Sequence, residues 1–313
     1  MGGQVYQWTD ANRDGVFQTS ETGPLLRRFG GQYSAIDANL HQPYTDQVSA
    51  SVGAAPIAGL SLSLRAFVAE DKNRMAALNT GVPFSAYQLR QVTNPQGGTA
   101  SVYEQNATTL GNDQFRLTNP AGLAMTHRGL TAEAVYQHSN LAVSTYGFVG
   151  KSWGQTNQGS QAWQNDSGVV GSLFSDPNAT LFAAGRPAMD RGYGMRTSAF
   201  VRTHSVEILF SSSLIGGSPY SPELLATGLA QGPTLVATSA RGSLRTSPIF
   251  QQNLRLVRPF AMRHGKLQVS AEVYNLWNRA TALSVNDLIG VSFGQPLAIQ
   301  PPRSLRLGVG YSF

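Results

Sequence analysis

The chain has no cysteine in 313 residues, which removes thiol catalysis, a disulfide framework and thiolate-bound zinc. No run of about 18 apolar residues occurs, so no helix is long and apolar enough to cross a bilayer. A barrel strand needs only about ten alternating residues, so that shortage leaves a β route across a membrane open. Charge is scarce too: Asp, Glu, Lys and Arg make up 13% of the residues against 41% hydrophobic. The balance is too uncharged for a typical soluble enzyme and too polar for helical spans. The net charge of +6 is spread singly along the chain with no basic block, so no nucleic-acid partner is expected. The opening Met1-Gly2-Gly3-Gln4-Val5-Tyr6 has neither a basic start nor an apolar core and is not a secretory leader. For an exported protein, the chain is therefore expected to begin internally, without its signal peptide.

Catalytic signals are thin. The five histidines, at 41, 127, 138, 204 and 264, fall singly and form no His-x-x-x-His or Glu-x-x-His metal pair. A Ser-His-Asp triad needs no sequence neighbours and stays open on these grounds. The expectation is that the chain is not an enzyme.

What the chain does have is alternation. In the closing stretch, Leu305, Leu307, Val309, Tyr311 and Phe313 alternate with Ser304, Arg306, Gly308, Gly310 and Ser312, the period of two that marks a strand. Apolar toward lipid and polar toward a lumen is the membrane-barrel pattern; an edge strand of a soluble sheet shows the same alternation. The pattern recurs upstream. Residues 47–52 and 60–68 pair around a short turn, 130–136 and 141–145 around His138-Ser139-Asn140, 195–203 and 206–215 with almost nothing between, and 253–262 and 266–276 around Arg263-His264-Gly265. Long polar segments, 71–126, 153–191, 216–249 and 278–301, separate these pairs. Such lengths are abnormal inside a compact soluble domain.

All short connections therefore fall at one end of the sheet and all long ones at the other. That asymmetry predicts an all-β, antiparallel transmembrane barrel with short periplasmic turns and long external loops, in the outer membrane of a Gram-negative bacterium. Nine strands are counted. Bacterial barrels have an even number, and an open edge in lipid leaves unsatisfied backbone groups. At least one strand is missing, so a partial barrel is expected. Residues 41–313 supply its C-terminal strands, and residues 1–40 form an external loop region. Glu133, Glu272, Arg196, Arg202 and Arg255 are expected to face the lumen, as is the segment Ser211-Ser212-Ser213. Tyr136, Phe260, Tyr311, Trp153 and Trp277 are expected in interfacial belts.

One metal motif stands out. Asp10-Ala11-Asn12-Arg13-Asp14-Gly15-Val16-Phe17-Gln18-Thr19-Ser20-Glu21 has the calcium-loop spacing. Asp10, Asn12 and Asp14 offer side-chain oxygens, Gly15 permits the sharp turn, Val16 gives its carbonyl, Gln18 acts through water and Glu21 closes bidentately. No helical pattern flanks it, so a free-standing Ca2+ site is expected; an Asx-rich turn of the same spacing is the alternative.

Several stretches together resemble the TonB-dependent outer-membrane receptors, in particular the Oar-like subgroup. They are Trp8-Thr9-Asp10 through Glu21, Gln42-Pro43-Tyr44-Thr45-Asp46, Phe115-Arg116-Leu117-Thr118-Asn119-Pro120, Asp190-Arg191-Gly192-Tyr193, Gly217-Ser218-Pro219-Tyr220, Val273-Tyr274-Asn275-Leu276-Trp277-Asn278 and Pro302-Arg303 through Phe313. The resemblance implies a barrel of about 22 strands, filled by an N-terminal plug and energised by the TonB complex. It implies import of a large or scarce ligand: an iron chelate, cobalamin, an oligosaccharide or a peptide. The plug and the N-terminal barrel strands of that pattern are not in this sequence, and Phe313 resembles the signal read by the barrel-assembly machinery. The rival reading is a secreted, soluble, calcium-binding β protein that binds glycans.

Overall fold

The computed structural model describes residues 3–29, 35–155, 174 and 176–313; much of the polar segment expected at 153–191 lies outside them. Nine long strands form one antiparallel meander: β1 (Tyr44–Ala54), β2 (Leu60–Lys72), β3 (Met125–His138), β4 (Leu141–Gln155), β5 (Tyr193–Arg202), β6 (Glu207–Ile215), β7 (Ile249–Met262), β8 (Gly265–Tyr274) and β9 (Ser304–Ser312). Each pairs with its sequence neighbours, and among the described residues β1 and β9 each keep one unpaired edge. A short strand, Ala184–Gly185, adds to the far end of β4.

Turn chemistry explains the short links. Ser139 sits at φ 49° in the connection between β3 and β4, the left-handed geometry that matches the twist of paired strands. The Thr203 hydroxyl accepts the Val206 N–H at 3.0 Å and closes the link between β5 and β6. At Gly59 the backbone turns through φ +80° against the Gln137 carbonyl, where a Cβ would have no room.

The register separates two faces. One row across six strands reads Ser63, Glu133, Tyr146, Arg196, Ser213 and Gln251; the next reads Leu64, Ala132, Gly147, Met195, Leu214 and Phe250. A strict period of two thus gives one polar and one apolar face. No second sheet covers the apolar face among the described residues: Val48 is 78% exposed, Leu307 73% and Val309 75%. Burial sits instead in the long connections. Val102, Leu224, Ala226, Leu229 and Val236 form one buried cluster, and Ala76, Leu123 and Ala183 another.

The serine run differs from expectation. Ser211 and Ser213 stand on the polar face opposite Asn253 and Gln251, but Ser212 stands on the apolar face opposite Thr197 and Gln252. Three consecutive strand residues cannot share a side. The Gln252 Nε2 donates to the Ser212 hydroxyl at 3.3 Å and the Thr145 and Thr197 hydroxyls meet at 3.2 Å, so this polar patch satisfies itself.

Candidate functional site

Glu133, Arg196, Arg202, Arg255 and Glu272 all lie on the polar face, as the alternation predicts. Three of them take part in two ion pairs across neighbouring strands: Arg255 Nε to Glu272 Oε1 at 3.0 Å and Arg202 Nε to Glu207 Oε1 at 2.9 Å. Near the short-turn end this wall carries a hollow of about 440 Å³, lined by Ser144, Ser198, Ser211, Asn253, Arg255 and Glu272 together with apolar Val135, Phe200 and Leu209. The wall is therefore mixed, with hydrogen-bonding side chains above and aromatic and aliphatic ones below. Tyr136, Phe260, Tyr311 and Trp153 fall on the opposite, apolar face, and the Trp277 indole N–H donates to Gln252 beyond the end of β8.

The described parts of the long connections fold into one cap. The buried cluster around Val102 and Val236 draws from the β2–β3 and β6–β7 segments, with Ile289 of the β8–β9 segment packed against it. Asn178, from the β4–β5 segment, exchanges two bonds with the Tyr103 backbone, at 2.7 and 2.8 Å. Arg186 N–H donates to the Arg241 carbonyl at 2.9 Å, and Arg241 N–H to Phe182 at 3.2 Å. Glu223 is the seam with the last segment: its N–H donates to the Asp287 carbonyl at 2.8 Å and its carbonyl accepts from Ile289 at 2.7 Å. The Glu223 side chain is 1% exposed beside Arg241, 2% exposed. Burial, reinforced by Asp287, pushes its carboxyl up to about 8 despite the arginine. The segment preceding β1 is tied to the same cap, since Ala35–Ile36 pairs with Phe115–Thr118 and Asn119 brackets His41 on both backbone groups.

Asp10, Asn12, Asp14, Val16, Gln18 and Glu21 share one connection, joining the strands Gly3–Trp8 and Thr22–Phe29. Asp10 accepts the N–H groups of Asp14 and Gly15 at 3.2 and 2.9 Å, and Asp14 accepts that of Val16 at 2.7 Å. Asn12 Nδ2 donates to Asp14 and to Gln18 at 2.8 and 3.1 Å. Glu21 folds back over the turn, accepting the Trp8 indole at 2.9 Å and the Ala11 N–H at 3.0 Å. The indole bond holds its carboxyl below the usual glutamate range. Gly15, at φ +70°, makes the sharp bend. The donor set suits a hard cation, although among the described residues no group of three or more His, Asp or Glu side chains is disposed to hold a metal ion.

Two serine arrangements resemble hydrolase parts. At the far end of the polar face, His127 Nδ1 meets Ser152 Oγ at 2.9 Å and its Nε2 meets Asp71 Oδ2 at 3.0 Å, with the Thr45 hydroxyl donating to Asp71 at 2.7 Å. The ring is reversed relative to the serine hydrolase triad, in which Nε2 serves the nucleophile. Separately, Gly290-Val291-Ser292-Phe293-Gly294 has the Gly-x-Ser-x-Gly spacing, but it forms the tip of a hairpin between Ala282–Val285 and Pro296–Ile299. A nucleophile elbow needs a strand-to-helix turn. Ser292 instead accepts from Asn286 Nδ2 at 2.8 Å.

No protein-family model and no curated protein matches the sequence. Solved structures do. The chain is similar to the outer membrane transporter YddB of Escherichia coli, at 10% identity and TM-score 0.50, over 87% of this chain and 33% of that one. The fold is that of part of an antiparallel β-barrel wall. The siderophore receptor PirA of Acinetobacter baumannii aligns at 13% identity and TM-score 0.47 over 86% of this chain and 32% of its own. The ferripyoverdine receptor of the outer membrane of Pseudomonas aeruginosa aligns at 11% and 0.46 over 98% and 30%. The chain thus spans about a third of the length of these proteins.

On this barrel wall, alternation alone identified the polar face. It could not identify the Glu223 seam, the His127 bridge or the hold of Arg186 and Arg245 on Asp190, at 3.0 and 3.3 Å. Apart from Arg186 and Asp190, which are four residues apart, these join residues far apart in sequence that no local spacing announces.

Proposed function

We propose that this chain forms the C-terminal part of a TonB-dependent outer-membrane transporter, of the Oar-like subgroup to which its sequence stretches point. The observation that carries the reading is the nine-strand meander with its apolar face uncovered and every long connection at one end. Lipid is the covering that such a face needs, because no protein layer among the described residues packs on it. The polar face then lines the lumen, and the packed cap stands outside the cell. The two free edges require further strands, since unpaired backbone groups in hydrocarbon cost several kcal/mol each. In a longer parent these come from the preceding barrel strands, with a plug in the lumen and TonB as the energy source. Phe313, fully exposed at the end of β9, is the proposed contact for barrel assembly. The cargo is a large or scarce ligand (an iron chelate, cobalamin, an oligosaccharide or a peptide) held first by the cap and then passed along the polar wall. The loop at residues 10–21 is a proposed calcium site that stiffens the outermost hairpin.

The absence of cysteine provides a clean test. Cysteine introduced as Val291→Cys in the cap should react with a membrane-impermeant maleimide on intact cells, and Ala58→Cys in the short β1–β2 turn only after permeabilisation. The protein should stay with the outer membrane through a carbonate wash. Release into the supernatant, or equal labelling of both sites on intact cells, would refute the topology and favour a secreted β protein.

A further inference from the structure

On the apolar face, near the cap end of β3 and β4, two cations stand directly opposite each other: Arg128 pairs with Lys151 in the register. Like charges directly opposite on antiparallel strands repel and destabilise the pair. Neither has an acidic partner among the described residues. Glu70, the nearest carboxylate by register, is turned to Lys72 Nζ at 3.4 Å, and Asp46 is held by the same ammonium at 3.0 Å. Lys151 Nζ lies 4.2 Å over the Trp153 ring, itself 41% exposed. Below the cations the face is apolar, beginning with Leu130 and Val149, which are paired to each other and exposed.

The height of the pair matters. From Tyr136 to Arg128 is eight residues of β3, about 26 Å along the strand at 3.3 Å per residue. With a strand tilt of about 40°, that is about 20 Å along the membrane normal. An apolar band is about 25 Å tall, a height reached two residues nearer the cap at Trp153. The long side chains of the two cations start just below it, and Lys151 extends over the Trp153 ring. The charged heads therefore reach the headgroup level, pointing away from the lumen and below the cap.

We propose that Arg128 and Lys151, flanked by the Trp153 indole, bind the phosphate group of a phosphorylated glycolipid in the outer leaflet. A phosphate between two cations removes their repulsion and accepts charge-assisted hydrogen bonds from the guanidinium and the ammonium. The indole packs against the sugar or the upper acyl chain. Charge complementarity selects a lipid headgroup as the occupant, because the pair opens onto lipid and the apolar rows beneath it receive acyl chains. This inference rests on the outer-membrane reading above.

The test is native mass spectrometry of the full-length protein containing this chain, purified from outer membranes in detergent and titrated with a bis-phosphorylated diglucosamine lipid or with its dephosphorylated form. The parent should bind the phosphorylated lipid about tenfold more tightly than the dephosphorylated one, as expected for paired charged hydrogen bonds. Arg128→Gln with Lys151→Gln should erase that preference, Arg128→Lys with Lys151→Arg should keep it, and Arg258→Gln, on the same face near the short-turn end, should leave it unchanged. Equal binding of the two lipids by the parent, or an undiminished preference in the double glutamine variant, would overturn the proposal. So would displacement of the lipid by inorganic phosphate at equal concentration, which would mark a simple anion site. A protein absent from the membrane fraction would instead refute the transporter reading.

Discussion

Raising the pH should loosen the cap at Glu223. The carboxyl is 1% exposed, and burial together with Asp287 lifts it from 4.5 to about 8, only partly opposed by Arg241. Burial also lowers Arg241, to about 10, so the guanidinium stays charged throughout the relevant range. A carboxyl whose pKa is higher folded than unfolded supports the fold fully below the unfolded value, and that support is lost as pH rises through the folded value. At about 1.4 kcal/mol per pH unit, the interval from 4.5 to about 8 amounts to roughly 5 kcal/mol. The loss should fall on the seam itself, where the Glu223 backbone bonds to Asp287 and Ile289, rather than on the barrel strands. Hydrogen–deuterium exchange, corrected for intrinsic rates, should show residues 216–248 and 275–303 losing protection between about pH 5.5 and pH 8.5, while β3 and β4 keep theirs. Glu223→Gln cannot ionise and should flatten the profile. An equal pH slope in Glu223→Gln and parent, or protection that grows with pH, would refute the reasoning.

Three further outcomes follow from the same geometry. Calorimetry should detect calcium binding by the parent and lose it in Asp14→Ala and Glu21→Ala; no heat in the parent would end the calcium proposal. Leu64→Arg, on the apolar face, should destabilise the folded barrel by about 2–4 kcal/mol near the bilayer midplane, whereas the neighbouring Ser63→Arg, on the polar face, should cost far less. The folded fraction on unheated gels measures both, and equal losses would contradict the assignment of faces. Gly185→Ala would place a Cβ inside the van der Waals radius of the Arg241 carbonyl, at a cost of about 1–3 kcal/mol; limited proteolysis should then cut the cap faster while the strands stay resistant.

Sequence and structure agree where burial is set by a uniform environment on each side of the sheet. The runs Leu60-Leu62-Leu64 and Leu305-Leu307-Val309 announce β2 and β9 because every second residue meets the same face. The same rule limits Ser212, which the period places opposite its two serine neighbours. The segments between the strands were legible only as long and polar. Leu224 and Val236 are buried because Val102 and Ile289 pack onto them, and neither partner can be inferred from its own neighbourhood.

Composition and alternation by themselves determined the strand order, the two faces and the placement of long and short connections at opposite ends. A period of two, short turns and a shortage of charge leave few other solutions. Only the tertiary structure decided that the described parts of the long segments join into one cap, that a glutamate is sealed at its seam, and that Arg128 faces Lys151 without a counter-charge among the described residues. Those features depend on distances between residues widely separated along the chain, which local patterning does not encode.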